Sequence, residues 1–154
     1  MSGQINNLST SVKMVRHAIA AAAGAGTITP TAGVDTKGFK GCMFVVALGT
    51  VTDGTPTIKV QQSDDDGVAD TYDDLVGSSV AIALTDDNKL AFVDIVNPQK
   101  RYLKCLFVRA GTTTGSVLDG IVALLYKADF RPTAQDSTVA AGGEMHFTPA
   151  EGTA

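Results

Sequence analysis

Short runs of β-forming residues recur about every ten residues along the chain, each closed by a turn signal, and this spacing constrains the fold more than any other feature. Thr57-Ile-Lys-Val-Gln61 alternates, placing Ile58 and Val60 on one face and Thr57, Lys59 and Gln61 on the other. Arg101 to Arg109 alternates in the same way, with Leu103, Cys105 and Phe107 together. Cys42-Met-Phe-Val-Val-Ala-Leu48 is apolar throughout, the pattern of a strand buried on both faces. Val80 to Leu84 and Leu90 to Val96 are further strands, and Asp94 interrupts the second so that Ala91, Val93 and Ile95 form its core face. Turns are expected at Asp53-Gly54, Asp86-Asp-Asn88, Asn97-Pro98 and Gly111 to Gly115. Val117 to Tyr126 is ambiguous, because Leu118, Ile121, Val122 and Leu125 also fit a helical stripe. Gly120 disfavours a helix interior, so a strand is predicted. The expected fold is all-β, a jelly-roll-like β-sandwich with extended N- and C-terminal arms. Its core should contain Phe44, Ile58, Val60, Val93, Leu103, Phe107 and Leu124.

A chain of 154 residues suits one domain. Hydrophobic residues make up 44% but aromatics only 6%, with no Trp, so the core must be built mainly from Val, Ala, Leu and Ile. The polar, small-residue character of residues 1–40 reads as an N-terminal arm, 41–130 as the sandwich core, and 131–154 as a C-terminal arm rich in Pro, Ala, Gly and Thr. Lys13 to Gly26 has basic residues and an Ala-rich stretch like a secretion signal, but it lacks a strong apolar segment and is read as part of the arm. No apolar run reaches the roughly eighteen residues that span a bilayer, so no membrane partner is expected. A net charge of −4 without a basic stripe argues against direct nucleic-acid binding. Cys42 and Cys105 sit in apolar runs and are read as reduced structural thiols.

The acidic stretch Ser63-Asp-Asp-Asp-Gly67 invites a calcium reading. A helical calcium loop needs alternate oxygen donors and an acidic residue at its twelfth position, where Leu75 stands when Asp64 is counted first. The stretch is therefore read as a solvated hairpin loop; a looser site using Asp64, Asp66 and Asp70 is the alternative. His17 and His146 fall in the two arms, away from any rigid site, and adjacent Asp73 and Asp74 would point opposite ways on a strand. No nucleophile elbow, phosphate loop or paired-cysteine motif occurs. The reading is a non-enzyme with no catalytic residues, no cofactor and no metal.

The hairpin Thr57 to Gly67, with its Gln-Gln-Ser-Asp-Asp end, followed by Lys100-Arg-Tyr-Leu-Lys-Cys-Leu-Phe-Val-Arg109, resembles small virion proteins of tailed bacteriophages. The resemblance covers roughly residues 41 to 127, and size and composition make the chain look like a capsid cement, or decoration, protein. It implies a homotrimer on the capsid exterior that stabilises the shell by bridging major capsid protein subunits. A head-tail joining or tail-tube subunit is an alternative, as is a carbohydrate-binding β-sandwich, although Tyr72, Tyr102 and Tyr126 are the only Tyr or Trp residues available for an aromatic platform. Tyr102, Leu106 and Val108, opposite the Leu103 row, are the expected oligomer interface.

Overall fold

The computed structural model describes residues 7–52, 54–109, 115–147 and 150–153; the turns expected at Asp53 and over 111–114 lie outside them. After a single helical turn, α1 (Leu8–Ser11), the strands are β1 (Lys13–Ala18), β2 (Gly26–Ile28), β3 (Val34–Asp35), β4 (Phe39–Leu48) and β5 (Thr57–Ser63). They continue as β6 (Asp73–Asp74), β7 (Val80–Ala81), β8 (Leu90–Val96), β9 (Tyr102–Arg109) and β10 (Leu118–Ala128). The expected all-β sandwich is what forms.

One sheet, A, has the order β1-β10-β4-β8. In the other, B, β9 and β5 are central; β2 and β3 pair along one side of β9, and β6 and β7 along the far side of β5. Taking β2/β3 and β6/β7 as interrupted single strands leaves eight strands in two sheets of four. First then pairs with last, second with second-last, and so inward, always antiparallel. That nesting is a long hairpin rolled up on itself, the topology of a jelly roll.

Two expectations about the termini need correction. Residues 13–35 are not an arm: β1 closes one edge of sheet A, and β2 and β3 close one edge of sheet B. Their strands are only two to six residues long and carry few large apolar side chains, so they lack the apolar weight by which the longer strands are read. The C-terminal segment forms no strand in its described part, yet residues 133–138 lie along the outer edge of β1. There the Gln135 side chain accepts the Met14 N–H (2.8 Å) and donates to the Val12 carbonyl (2.8 Å), while Thr138 Oγ1 accepts the Arg16 N–H (2.9 Å). Side chains thus satisfy backbone groups that an exposed edge would leave open.

Between the sheets lie Cys42, Phe44, Val46 and Leu48 of β4, Ile58 and Val60 of β5, Val93 of β8, Leu103, Cys105 and Phe107 of β9, and Leu118, Ile121, Ala123 and Leu125 of β10. Six of the seven expected core residues are there. Leu124 is not: it points to the outer side of sheet A. A register shift between Leu118 and Gly120, where Gly120 has φ +149°, moves the inward residues from Leu118 to Ile121 and puts Leu124 out of phase.

Candidate assembly surface

β4 is apolar on both faces, yet among the described residues only one of them is packed against a second sheet. Cys42, Phe44, Val46 and Leu48 are buried, whereas Met43, Val45 and Ala47 face outward on sheet A. Register aligns these outward residues into rows across the four strands: Met14–Leu124–Met43–Asp94, then Arg16–Val122–Val45–Phe92. A third, shorter row is Gly120–Ala47–Leu90. Leu90 and Phe92 are 71% and 63% exposed, and Val96, Val122 and Met14 are exposed as well. Toward α1 this face deepens into a groove of about 300 Å³ lined by Leu8, Val12, Met14, Met43, Leu124 and Tyr126.

The groove's polar rim is fixed by one tyrosine. Tyr126 lies across Gly41, where an added Cβ would collide with its ring, and its hydroxyl donates to Asp94 Oδ1 at 2.6 Å. Aromatic cover over a strand glycine restores the packing that the missing side chain forfeits. Burial, then the Asp94 bond, pushes the Tyr126 phenol up to about 12, so it stays a donor at neutral pH.

At β8 the apolar face runs into an open sheet edge. The bonds Leu48 N–H to Lys89 carbonyl and Asn97 N–H to Lys40 carbonyl set the phase of the β4–β8 ladder. By that phase Ala91, Val93 and Ile95 bond to β4, and the backbone groups of Leu90, Phe92, Asp94 and Val96 point to the free side. β1 has its side-chain cover; among the described residues β8 has no such cover. Beside the open edge runs a cleft of about 570 Å³, lined by Gln62, Leu75, Ser78, Ile95, Asn97 and Gln99 among others.

Tyr102, Leu106 and Val108 do lie opposite the Leu103 row, on the outer side of sheet B, but they form no open apolar patch. Leu106 is only 6% exposed, and the other two are half-buried. Lys104, in the same row, is also buried; its Nζ sits 4.0 Å from the Tyr72 ring centroid and donates to the Thr31 carbonyl. The chain itself covers much of this face.

The aspartate loop is a built turn, more ordered than the solvated loop expected. The Asp65 carboxylate accepts the N–H groups of Val68 (3.0 Å), Ala69 (2.7 Å) and Asp70 (3.1 Å), which hold its pKa below the usual range. Ser63 Oγ accepts the Gly67 N–H and donates to the Asp70 carbonyl. Asp70 takes the Asp64 N–H and the Lys100 ammonium, both at 2.7 Å, and Asp66 Oδ1 accepts the Tyr72 hydroxyl (2.6 Å) and the Gly33 N–H (2.7 Å). These oxygens already carry donors, which a cation would have to displace. Among the described residues no group of three or more His, Cys, Asp or Glu is arranged to hold a metal ion. Asp74 is engaged with Lys59 and Gln61, and Asp73 is exposed beside it.

His17 lies in the sandwich rather than in an arm. Cys105 sits on the stretch of β9 between the parts paired with β2 and β3, where no strand can accept its N–H. His17 Nε2 accepts it instead, at 3.0 Å, with the imidazole tilted against Phe44 at 5.2 Å. Burial above all, and then the Lys104 charge, lowers the imidazole pKa to about 4. Sequence reading missed this role, which depends on a gap between two short strands. Cys42 and Cys105 are free, buried thiols facing inward from opposite sheets; burial pushes Cys105 up to about 12 and Cys42 higher still. His146, in the tail, is exposed beside Glu144. All three tyrosines have intramolecular partners: Tyr72 with Asp66, Tyr126 with Asp94, and Tyr102 beneath the Arg101 guanidinium.

Topology and surface together define a jelly-roll β-sandwich with one apolar outer face that the described residues cover only in part. No protein-family model matches the chain, and neither does any curated protein. Among solved structures it is similar to a chain from Bacillus endospore appendages, described as disulfide-linked pili (16% identity, 82% of this chain and 96% of that one, TM-score 0.43). It is also similar to the PBSX exported protein XepA (15% identity, 96% of this chain and 46% of that one, TM-score 0.49), of which it spans about half the length.

Proposed function

We propose that the protein is a virion structural protein that decorates a tailed-phage capsid and stabilises it by bridging major capsid protein subunits on the shell exterior. The observation that carries this reading is the outer face of sheet A, where Met14, Met43, Val45, Phe92, Val122 and Leu124 form a continuous apolar surface. An exposed apolar surface of this kind marks a contact site. A shell-binding protein needs no reaction: whatever binds only the assembled capsid stabilises it by mass action. A homotrimer fits the reading, because a closed ring repeats one contact at a site where three capsid subunits meet. Occupation of the three tyrosines by internal contacts weighs against a sugar platform.

Mass spectrometry of purified particles, followed by a reconstruction, tests the reading directly. The chain should be present in many copies on the shell exterior with sheet A against capsid protein. Val122→Glu, which puts a charge in the middle of the face, should leave the circular dichroism unchanged and abolish shell binding. Absence from mature particles, or undiminished binding by that variant, would refute it.

A further inference from the structure

We infer that the open edge of β8 receives the C-terminal tail of a second copy of this chain, added as a further antiparallel or parallel strand of sheet A. Three observations meet here. First, the two edges of sheet A are treated differently: Gln135 and Thr138 blunt β1, whereas Leu90, Phe92, Asp94 and Val96 present backbone groups with no partner among the described residues. An open, apolar edge strand is a template for strand addition.

Second, the tail beyond the β1 edge has a strand's pattern without a strand's partner. Glu144-Met-His-Phe147 alternates polar and apolar, and Met145 and Phe147 are 45% and 64% exposed. Among the described residues, no hydrogen bond joins residues 142–147 to either sheet. Third, the two sides of β8 suit that alternation. A strand laid against β8 with Met145 and Phe147 outward would set them beside Leu90 and Phe92 on the apolar face. Glu144 and His146 would then point into the adjoining cleft, whose lining includes Ser78, Asn97 and Gln62. The Gln62 Oε1 atom is buried there with no hydrogen-bond partner among the described residues, so it can accept a donor from the incoming strand.

The donor is assigned to another copy because the tail leaves its own chain beside β1, at the opposite edge of the sheet, with Met145 and Phe147 still in solvent. Passing a tail from each copy to the next is a head-to-tail contact, which closes into a ring or continues as a filament. Strand exchange of this kind is independent of the capsid reading and survives if that reading fails.

The test uses the full chain carrying Met145→Ser and Phe147→Ser as acceptor, and a labelled synthetic peptide of residues 140–152 as probe. Sedimentation should show the parent chain assembled at micromolar concentration and the double variant monomeric. The peptide should bind the double variant, and Phe92→Lys added to it should weaken binding at least tenfold while circular dichroism stays unchanged. Hydrogen exchange gives the sharpest readout: the amides of Leu90, Phe92, Asp94 and Val96 should gain protection with peptide, while Ala91, Val93 and Ile95 are protected throughout. A double variant that assembles like the parent, a monomeric parent with its tail protected on its own β8, or peptide binding indifferent to Phe92→Lys would each overturn the inference.

Discussion

The depressed pKa of His17 should make the sandwich lose stability to acid over a pH range that begins well above that of its carboxylates. Neutral imidazole accepts the Cys105 N–H through Nε2, and imidazolium has no lone pair to do so. The folded-state pKa of about 4 lies below the ordinary 6.5, so the unfolded chain binds this proton more readily than the folded one. Stability is therefore complete above pH 6.5 and falls as the pH drops from 6.5 toward 4. A difference of some 2.5 pH units corresponds to about 3 kcal/mol at the acid end, a large share of a small domain's stability. Asp35 and Asp65, whose pKa values are lowered by Arg101 and by loop N–H groups, lose their contributions only below about pH 4, which separates the two effects. Urea unfolding at half-unit steps from pH 7.5 to 4 measures the slope. His17→Gln retains an acceptor but does not titrate, so its curve should be flat above pH 4.5. A parent curve flat between pH 6.5 and 4.5, or the same slope in the variant, would refute the argument.

Leu103→Ala, at a position with no exposure, should cost about 2–5 kcal/mol in chemical denaturation through lost burial and a residual cavity. Asp65→Asn should lower the melting temperature and speed amide exchange at Val68, Ala69 and Asp70, because an amide nitrogen replaces one accepting oxygen; added calcium or chelator should leave parent and variant alike unmoved. Thiol reagents should modify Cys42 and Cys105 only as fast as the chain unfolds, since both thiols are buried and held protonated. Deleting every residue before Gly41 should abolish cooperative melting, because it removes β1 from sheet A and β2 and β3 from sheet B.

What the sequence determined by itself is the set of long strands and most of what they bury. Period-two alternation places Ile58, Val60, Leu103 and Phe107 inward wherever a strand has one polar face, because a strand's side chains can only alternate. In β4 and β10 alternation distinguishes no such face. An apolar run on both faces reads as double burial, and only the tertiary arrangement shows that, among the described residues, no second sheet packs over Met43, Val45, Val122 and Leu124. The bulge before Gly120, which turns Leu124 outward, is likewise set by pairing with β1 and β4 and not by local pattern. Short strands carry too little apolar signal to be read alone: β1 to β3 are strands because β10 and β9 offer them backbone partners, and His17 is an acceptor because two of those strands leave a gap. The aspartates were legible as a turn, but which N–H each carboxylate accepts depends on distances that only the folded loop fixes, and so does the opening of one sheet edge while the other is covered from more than a hundred residues away.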